Sequence, residues 1–148
     1  MVDKAKILST ALELENKGFH FYRESEKRTQ NESGKKIFSQ LATEEEEHIQ
    51  SLKKMFRDLF PEKSGKPIPV FSGTVSEYSG EIEALQVAIE MEKQSIRFYS
   101  EWAQEELKSL FGSLIEFEKT HLELLQAELD YVQKNGFWFD YYESSQED

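Results

Sequence analysis

At 148 residues, 38% hydrophobic and 32% charged, the chain holds one domain with a proper core and is too short for two comfortable ones. A formal net charge of −11 argues against nucleic acid and anionic membrane as partners, since both need clustered positive charge. Cysteine is absent, which removes disulfides, a thiolate nucleophile and cysteine-held zinc, iron–sulfur or rubredoxin-type iron.

No apolar run approaches the roughly 20 residues that span a bilayer. The opening MVDKAKILSTALELE is charged early and has no uninterrupted apolar stretch, so no signal peptide is expected, and a soluble cytoplasmic protein is.

Four segments carry the 3.6-residue period of amphipathic helices. The first is predicted over about Asp3 to Thr29, with Asp3 as N-cap, ending near the turn signal NESG at Asn31 to Gly34. The second runs from about Lys35 to Phe60, stopped by Pro61. Residues 61–80 hold all three prolines and read as a linker. The third helix is expected over about Glu81 to Glu105, and the fourth over about Leu107 to Lys134, with Asn135-Gly136 as its stop. Residues 1–136 thus form the domain, and 137–148 an aromatic and acidic tail. The five aromatics of that tail are expected to plug the bundle end or form a subunit contact, with a docking surface for a redox partner as the alternative.

The chain repeats itself. Ala11 to Tyr22 (ALELENKGFHFY) aligns with Ala88 to Tyr99 (AIEMEKQSIRFY), and Leu41 to Leu52 (LATEEEEHIQSL) with Leu114 to Leu125 (LIEFEKTHLELL). One helical hairpin therefore occurs twice. Neither copy can bury its apolar face alone, so an all-α, antiparallel four-helix bundle is predicted. The linker must then run back along the bundle, roughly 40 Å for helices of this length. Twenty extended residues reach about 66 Å, so a long crossover between the second and third helices is feasible.

Stepping along each apolar stripe meets polar residues at its middle. On the second helix the stripe Ile37, Leu41, Leu52 passes through Glu45 and His48. On the fourth, Phe111, Leu114, Leu125 and Val132 flank Glu118 and His121. The first carries Glu15 between Ala11 and Tyr22, and the third Glu92 between Ala88 and Tyr99. Glu15 lies 16 residues before Asn31 and Glu45 lies 14 after it, so the partners within a hairpin come level to within about a turn.

Four buried carboxylates cost several kcal/mol per ion unless neutralised. Two divalent cations balance their charge, and two imidazoles add nitrogen donors. One Glu from each of two helices plus Glu-x-x-His from each of the others is a two-metal carboxylate pattern. Oxygen-rich ligation with one imidazole per metal suits iron(II) or manganese(II), with zinc also compatible. Glu44, Glu46, Glu47 and Glu116 fall off the stripes and are expected to be solvated, and His20 to lie at the surface or rim. Gly18 and Ser95 follow the first- and third-helix glutamates by one turn, either leaving room for a bridging oxygen ligand or only relieving crowding. Tyr22 and Tyr99 are expected either to be ordinary core tyrosines or to hydrogen-bond the ligating carboxylates.

With these paired E-x6-Y and E-x-x-H motifs, covering all four helices, the chain resembles the ferritin-like superfamily, and within it the di-iron domain of the rubrerythrin family. The resemblance implies two iron ions held by Glu15, Glu45, His48, Glu92, Glu118 and His121, with Glu45 and Glu118 bridging, and Tyr22 and Tyr99 as the family's supporting tyrosines. It implies reduction of hydrogen peroxide, or less efficiently dioxygen. Family members with a rubredoxin-like domain hold its iron on four cysteines, and this sequence has none, so the resemblance implies either an external electron donor, a rubredoxin-like protein or a flavoprotein, or slow turnover. Some members have a further glutamate on the third helix; here Glu90 and Ser95 flank Glu92 and neither fills that place. A homodimer or higher homo-oligomer is expected. Ferroxidase or iron-storage chemistry in a multi-subunit shell is the alternative, and an acidic interaction module without enzymatic activity a second.

Overall fold

The computed structural model describes residues 3–63 and 80–135, and these form four long helices with no strand among the described residues. Helix α1 spans Lys4–Arg28, α2 Glu32–Leu59, α3 Glu81–Trp102 and α4 Lys108–Asn135. Short 3₁₀ turns occupy Pro61–Lys63 and Glu105–Leu107.

The caps explain most boundaries. The Asp3 side chain accepts a hydrogen bond from the Lys6 N–H at 3.1 Å, satisfying a backbone donor that the first turn leaves open. Asn31 does the same for Gly34 at 3.1 Å, so α2 starts at Glu32, three residues earlier than the turn-like NESG suggests. That segment is therefore a cap and first turn, with Glu32 favourably placed at the positive helix end. Helix α2 stops at Leu59, ahead of Pro61, whose ring cannot continue it.

At the other hairpin, α3 ends at Trp102, short of Glu105. Gln104 is extended and Glu105 takes a positive φ of 50°. This tight reversal delivers Leu107 into the core, 1% exposed, and presents Glu105 and Glu106 to Lys4, which pairs with both.

Those ion pairs also fix the topology. They put the start of α1 beside the end of α3. Because α1 and α2 form a hairpin, the end of α2 lies at this same end of the bundle, and the start of α3 at the other. The connection between them must therefore run the bundle's length, as the long crossover requires. Its path through residues 64–79, like the Gly136 stop and the tail at 137–148, lies outside the described residues.

The core divides into two apolar clusters. One gathers Tyr22, Phe38, Leu41, Leu85, Ala88, Leu125 and Val132, from the later half of α1, the first half of α2, the first half of α3 and the last half of α4. The other gathers Leu8, Leu12, Leu52, Phe56, Tyr99, Leu107, Phe111 and Leu114 at the opposite end. Between the two lies a belt with different chemistry.

Candidate metal centre

The belt is built from the six polar residues that interrupt the apolar stripes. Glu15, Glu45, His48, Glu92, Glu118 and His121 are each at most 5% exposed. They fall into two overlapping groups, Glu15–Glu45–His48–Glu118 and Glu45–Glu92–Glu118–His121. Within each group, one ligand atom per residue lies within 4.8 Å of all the others.

The two shared glutamates face both ways. Glu45 turns Oε2 toward His48 Nδ1 at 3.7 Å and Oε1 toward His121 Nδ1 at 3.6 Å. Glu118 does the converse, with Oε1 at 3.2 Å from His48 Nδ1 and Oε2 at 3.5 Å from His121 Nδ1. Glu15 lies 3.6 Å from the first imidazole and Glu92 3.6 Å from the second. The imidazole planes are nearly parallel, 21° apart, with centroids 5.9 Å apart.

Few of these atoms are satisfied by the protein. His48 Nδ1, His121 Nδ1, Glu92 Oε2 and both carboxylate oxygens of Glu118 are buried without a hydrogen-bond partner. The close approaches at 3.2 to 3.7 Å are thus ionic but not aligned as hydrogen bonds. Buried polar atoms are nearly always partnered. Five such atoms converging from three helices are what a cation-binding set looks like, and the donors present fit two metal ions.

Titration behaviour reports the same frustration. Burial works against protonation of His48, yet Glu118 and Glu15 hold its pKa up to about 10. Burial opposes the charged form of His121 as well, and Glu118, Glu44 and Glu92 carry it well above the usual range. Burial, then repulsion from Glu92 and Glu15, pushes the Glu118 carboxyl well up. For Glu92 burial pulls upward, but contacts with Glu118, His121 and Tyr22 prevail and lower it. Without cations the belt must hold protons in their place.

The tyrosines close the belt crosswise. The Tyr22 hydroxyl donates to Glu92 Oε1 at 2.5 Å, and Tyr99 donates to Glu15 Oε1 at 2.6 Å. Each phenol serves the carboxylate of the other half of the repeat. Burial and then the neighbouring carboxylate charge raise both phenols well above their usual pKa, so both remain donors.

A void of about 10 Å³, room for one water-sized molecule, reaches Glu45 and Glu92 from between α1 and α3. Its lining pairs residues 77 positions apart: Leu14 with Met91, Lys17 with Gln94, Gly18 with Ser95. Of the belt, it reaches Glu45 and Glu92 but not their repeat equivalents Glu118 and Glu15. A methyl group at Gly18 would rest 3.5 Å from Glu45 Cδ, in ordinary contact.

Two outer residues behave differently from the sequence expectation. Glu44 is not simply solvated. It is half-buried and accepts a hydrogen bond from His121 Nε2 at 2.7 Å, because its position on α2 faces α4 across the hairpin interface. Partial burial works against its ionisation, but the imidazole prevails and keeps its carboxyl below the usual range. Glu128 is also fully buried, on the stripe between Leu125 and Val132. Glu46, Glu47, Glu116 and His20 are exposed as expected, and Glu90 points outward within 3.8 Å of Lys93.

Four helices around a buried carboxylate–imidazole belt define the class as ferritin-like, a helical bundle that could bind metal. A family model described as Rubrerythrin matches residues 6–129, and the chain belongs to that family. Among solved structures, a hypothetical protein from Pyrococcus furiosus is similar at 23% identity and a TM-score of 0.75, covering 93% of this chain and 94% of that one. That likeness is one of fold. Comparison with curated proteins finds no match. No helix among the described residues is long and apolar enough to cross a membrane.

Proposed function

We propose that this chain is a di-iron oxidoreductase that reduces hydrogen peroxide, and less efficiently dioxygen, with electrons from a separate protein. The observation that carries the reading is the two-way orientation of Glu45 and Glu118, each offering one oxygen to each histidine. That arrangement suits a pair of ions bridged by two carboxylates, with Glu15 and His48 completing one position and Glu92 and His121 the other. Bound as iron(II), the pair would supply one electron per ion, which with two protons turns one hydrogen peroxide into two waters.

The protein's own part is positional. Tyr99 and Tyr22 hold Glu15 and Glu92 by hydrogen bonds, so each carboxylate keeps an oxygen free for the centre. The void beside Gly18 and Ser95 reaches Glu45 and Glu92 with room for one water-sized molecule, which favours a small oxidant over a bulky one. The apolar clusters above and below keep bulk water from the belt. A rubredoxin-like protein or a flavoprotein would return the electrons, since the sequence has no cysteine to hold a rubredoxin-type iron. Manganese or zinc would fit the same donors.

The test is anaerobic loading with iron(II), followed by peroxide or dioxygen. The expected result is two irons per chain, one peroxide consumed per pair, and the near-ultraviolet absorption of a coupled ferric pair. Faster reaction with dioxygen than with peroxide, together with a multi-subunit shell on gel filtration, would replace this reading with ferroxidase chemistry. Protein purified from iron-rich medium without metal would leave only an acidic interaction module.

A further inference from the structure

The two histidines occupy equivalent places in the repeat, but their outer faces do not match. In the alignment of Leu41 to Leu52 with Leu114 to Leu125, Glu44 corresponds to Phe117. Glu44 accepts from His121 Nε2 at 2.7 Å, so that ring is oriented by a carboxylate, with its Nδ1 turned to the belt. Phe117 instead lies against His48, with ring centroids 5.2 Å apart at a tilt of 56°. It offers that imidazole no acceptor, and it is 47% exposed.

A carboxylate behind an imidazole fixes ring and tautomer and makes the inner nitrogen a better donor. An aromatic edge does neither. Resting on the two-metal reading above, we infer that the centre is unequal by construction. Glu44 is a positioning residue that makes the His121–Glu92 position the tight one, filled first, while the His48–Glu15 position, backed among the described residues by Phe117, fills last and empties first.

The difference can be read with zinc(II), which has no redox chemistry, by calorimetric titration of chelator-stripped full-length protein. His48→Ala keeps the Glu44-supported position, and His121→Ala keeps the other. The first should bind one zinc about 10–100-fold more tightly than the second, the usual range for loss of such an outer partner. Glu44→Gln should remove that advantage in the His48→Ala background and change nothing in the His121→Ala background. Phe117→Glu in the His121→Ala background should tighten the weak position. Because Glu44 is only half-buried, at the edge of the contact between α2 and α4, folding should survive its replacement. Should either histidine variant unfold, the unmodified chain and Glu44→Gln alone still decide: two separated binding steps in the first should merge in the second.

Equal affinity at the two single positions overturns the inference, as does equal weakening of both by Glu44→Gln, while two bound zinc ions keep the metal centre itself intact. No zinc bound by the unmodified chain would overturn both readings.

Discussion

The ends of the bundle and its waist obey opposite rules. At the ends, residues such as Leu8, Leu52 and Phe111, or Phe38, Leu85 and Leu125, are buried among their own kind. Their burial lowers the free energy of folding at roughly 25 cal/mol per Å² of apolar surface. At the waist, four carboxylates and two imidazoles are buried as deeply, and five of their atoms have no partner. The ends hold the fold together. The waist buries charged groups and polar atoms without hydrogen-bond partners, which is why it reads as a site rather than as core.

The largest effect that would break this contrast is at the shared glutamates. Glu45→Ala or Glu118→Ala removes an oxygen from both positions at once, and elemental analysis should show that stoichiometric two-metal binding is lost. Unchanged metal content would mean that the waist is not a metal centre. At the ends the pattern should invert. Phe111→Ala should cost about 3–5 kcal/mol in denaturant unfolding, yet the variant should still bind two metals once folded.

The metal-free protein gives a finer version of the same test. Replacing Glu118 and His48 together, with Leu and Phe, exchanges a buried ionic contact for apolar side chains, an exchange that is often neutral or stabilising by about 1–4 kcal/mol. The metal-stripped double variant should therefore melt no lower than the metal-stripped parent, although it cannot hold the pair. A marked drop in its melting temperature would show that the waist contributes stability even without cations.

Acidity should separate the two states as well. In the metal-free fold His48 keeps its proton up to about 10, against an ordinary value of 6.5. The folded state therefore binds more protons than the unfolded chain between those values. Stability from this source is complete below about 6.5 and is lost as the pH rises through about 10. The raised carboxyl of Glu118 acts in the same direction. Thermal melts of stripped protein should accordingly fall across this window. Metal affinity should rise over it, because the ions must displace these protons.

Much of this was legible in the residues. Steps of three and four along α2 and α4 carry Glu45, His48, Glu118 and His121 onto apolar stripes, and burial followed the stripes. What the pattern does not carry is anything decided across helices. Glu44 sits one residue before a stripe position, and only the approach of α4 shows that it meets His121. The crossing of the tyrosines depends on how α1 packs on α3. Glu128 is a different case: the steps that reach Leu125 and Val132 pass through it, so its burial had a visible signal. The turn after α3 is different again. Glu105 adopts a left-handed conformation because Leu107 must reach the core within a few residues, a tertiary demand that local propensity does not report.

The smallest expected effect is also the most selective. Tyr22→Phe takes a donor from Glu92, and Tyr99→Phe takes one from Glu15, while the ring packing of each is kept. A hydrogen bond to a charged group contributes about 1.5–3 kcal/mol, so each change should be visible but tolerated. Because the phenols reach across the repeat, the damage should too. Tyr22→Phe, on α1, should weaken the position built on Glu92 and His121 from α3 and α4. Tyr99→Phe, on α3, should weaken the one built on Glu15 and His48. Zinc titrations in the two single-histidine backgrounds distinguish the cases. A loss confined to the tyrosine's own half would mean that each phenol supports the carboxylate on its own helix, and the crossed arrangement would be wrong.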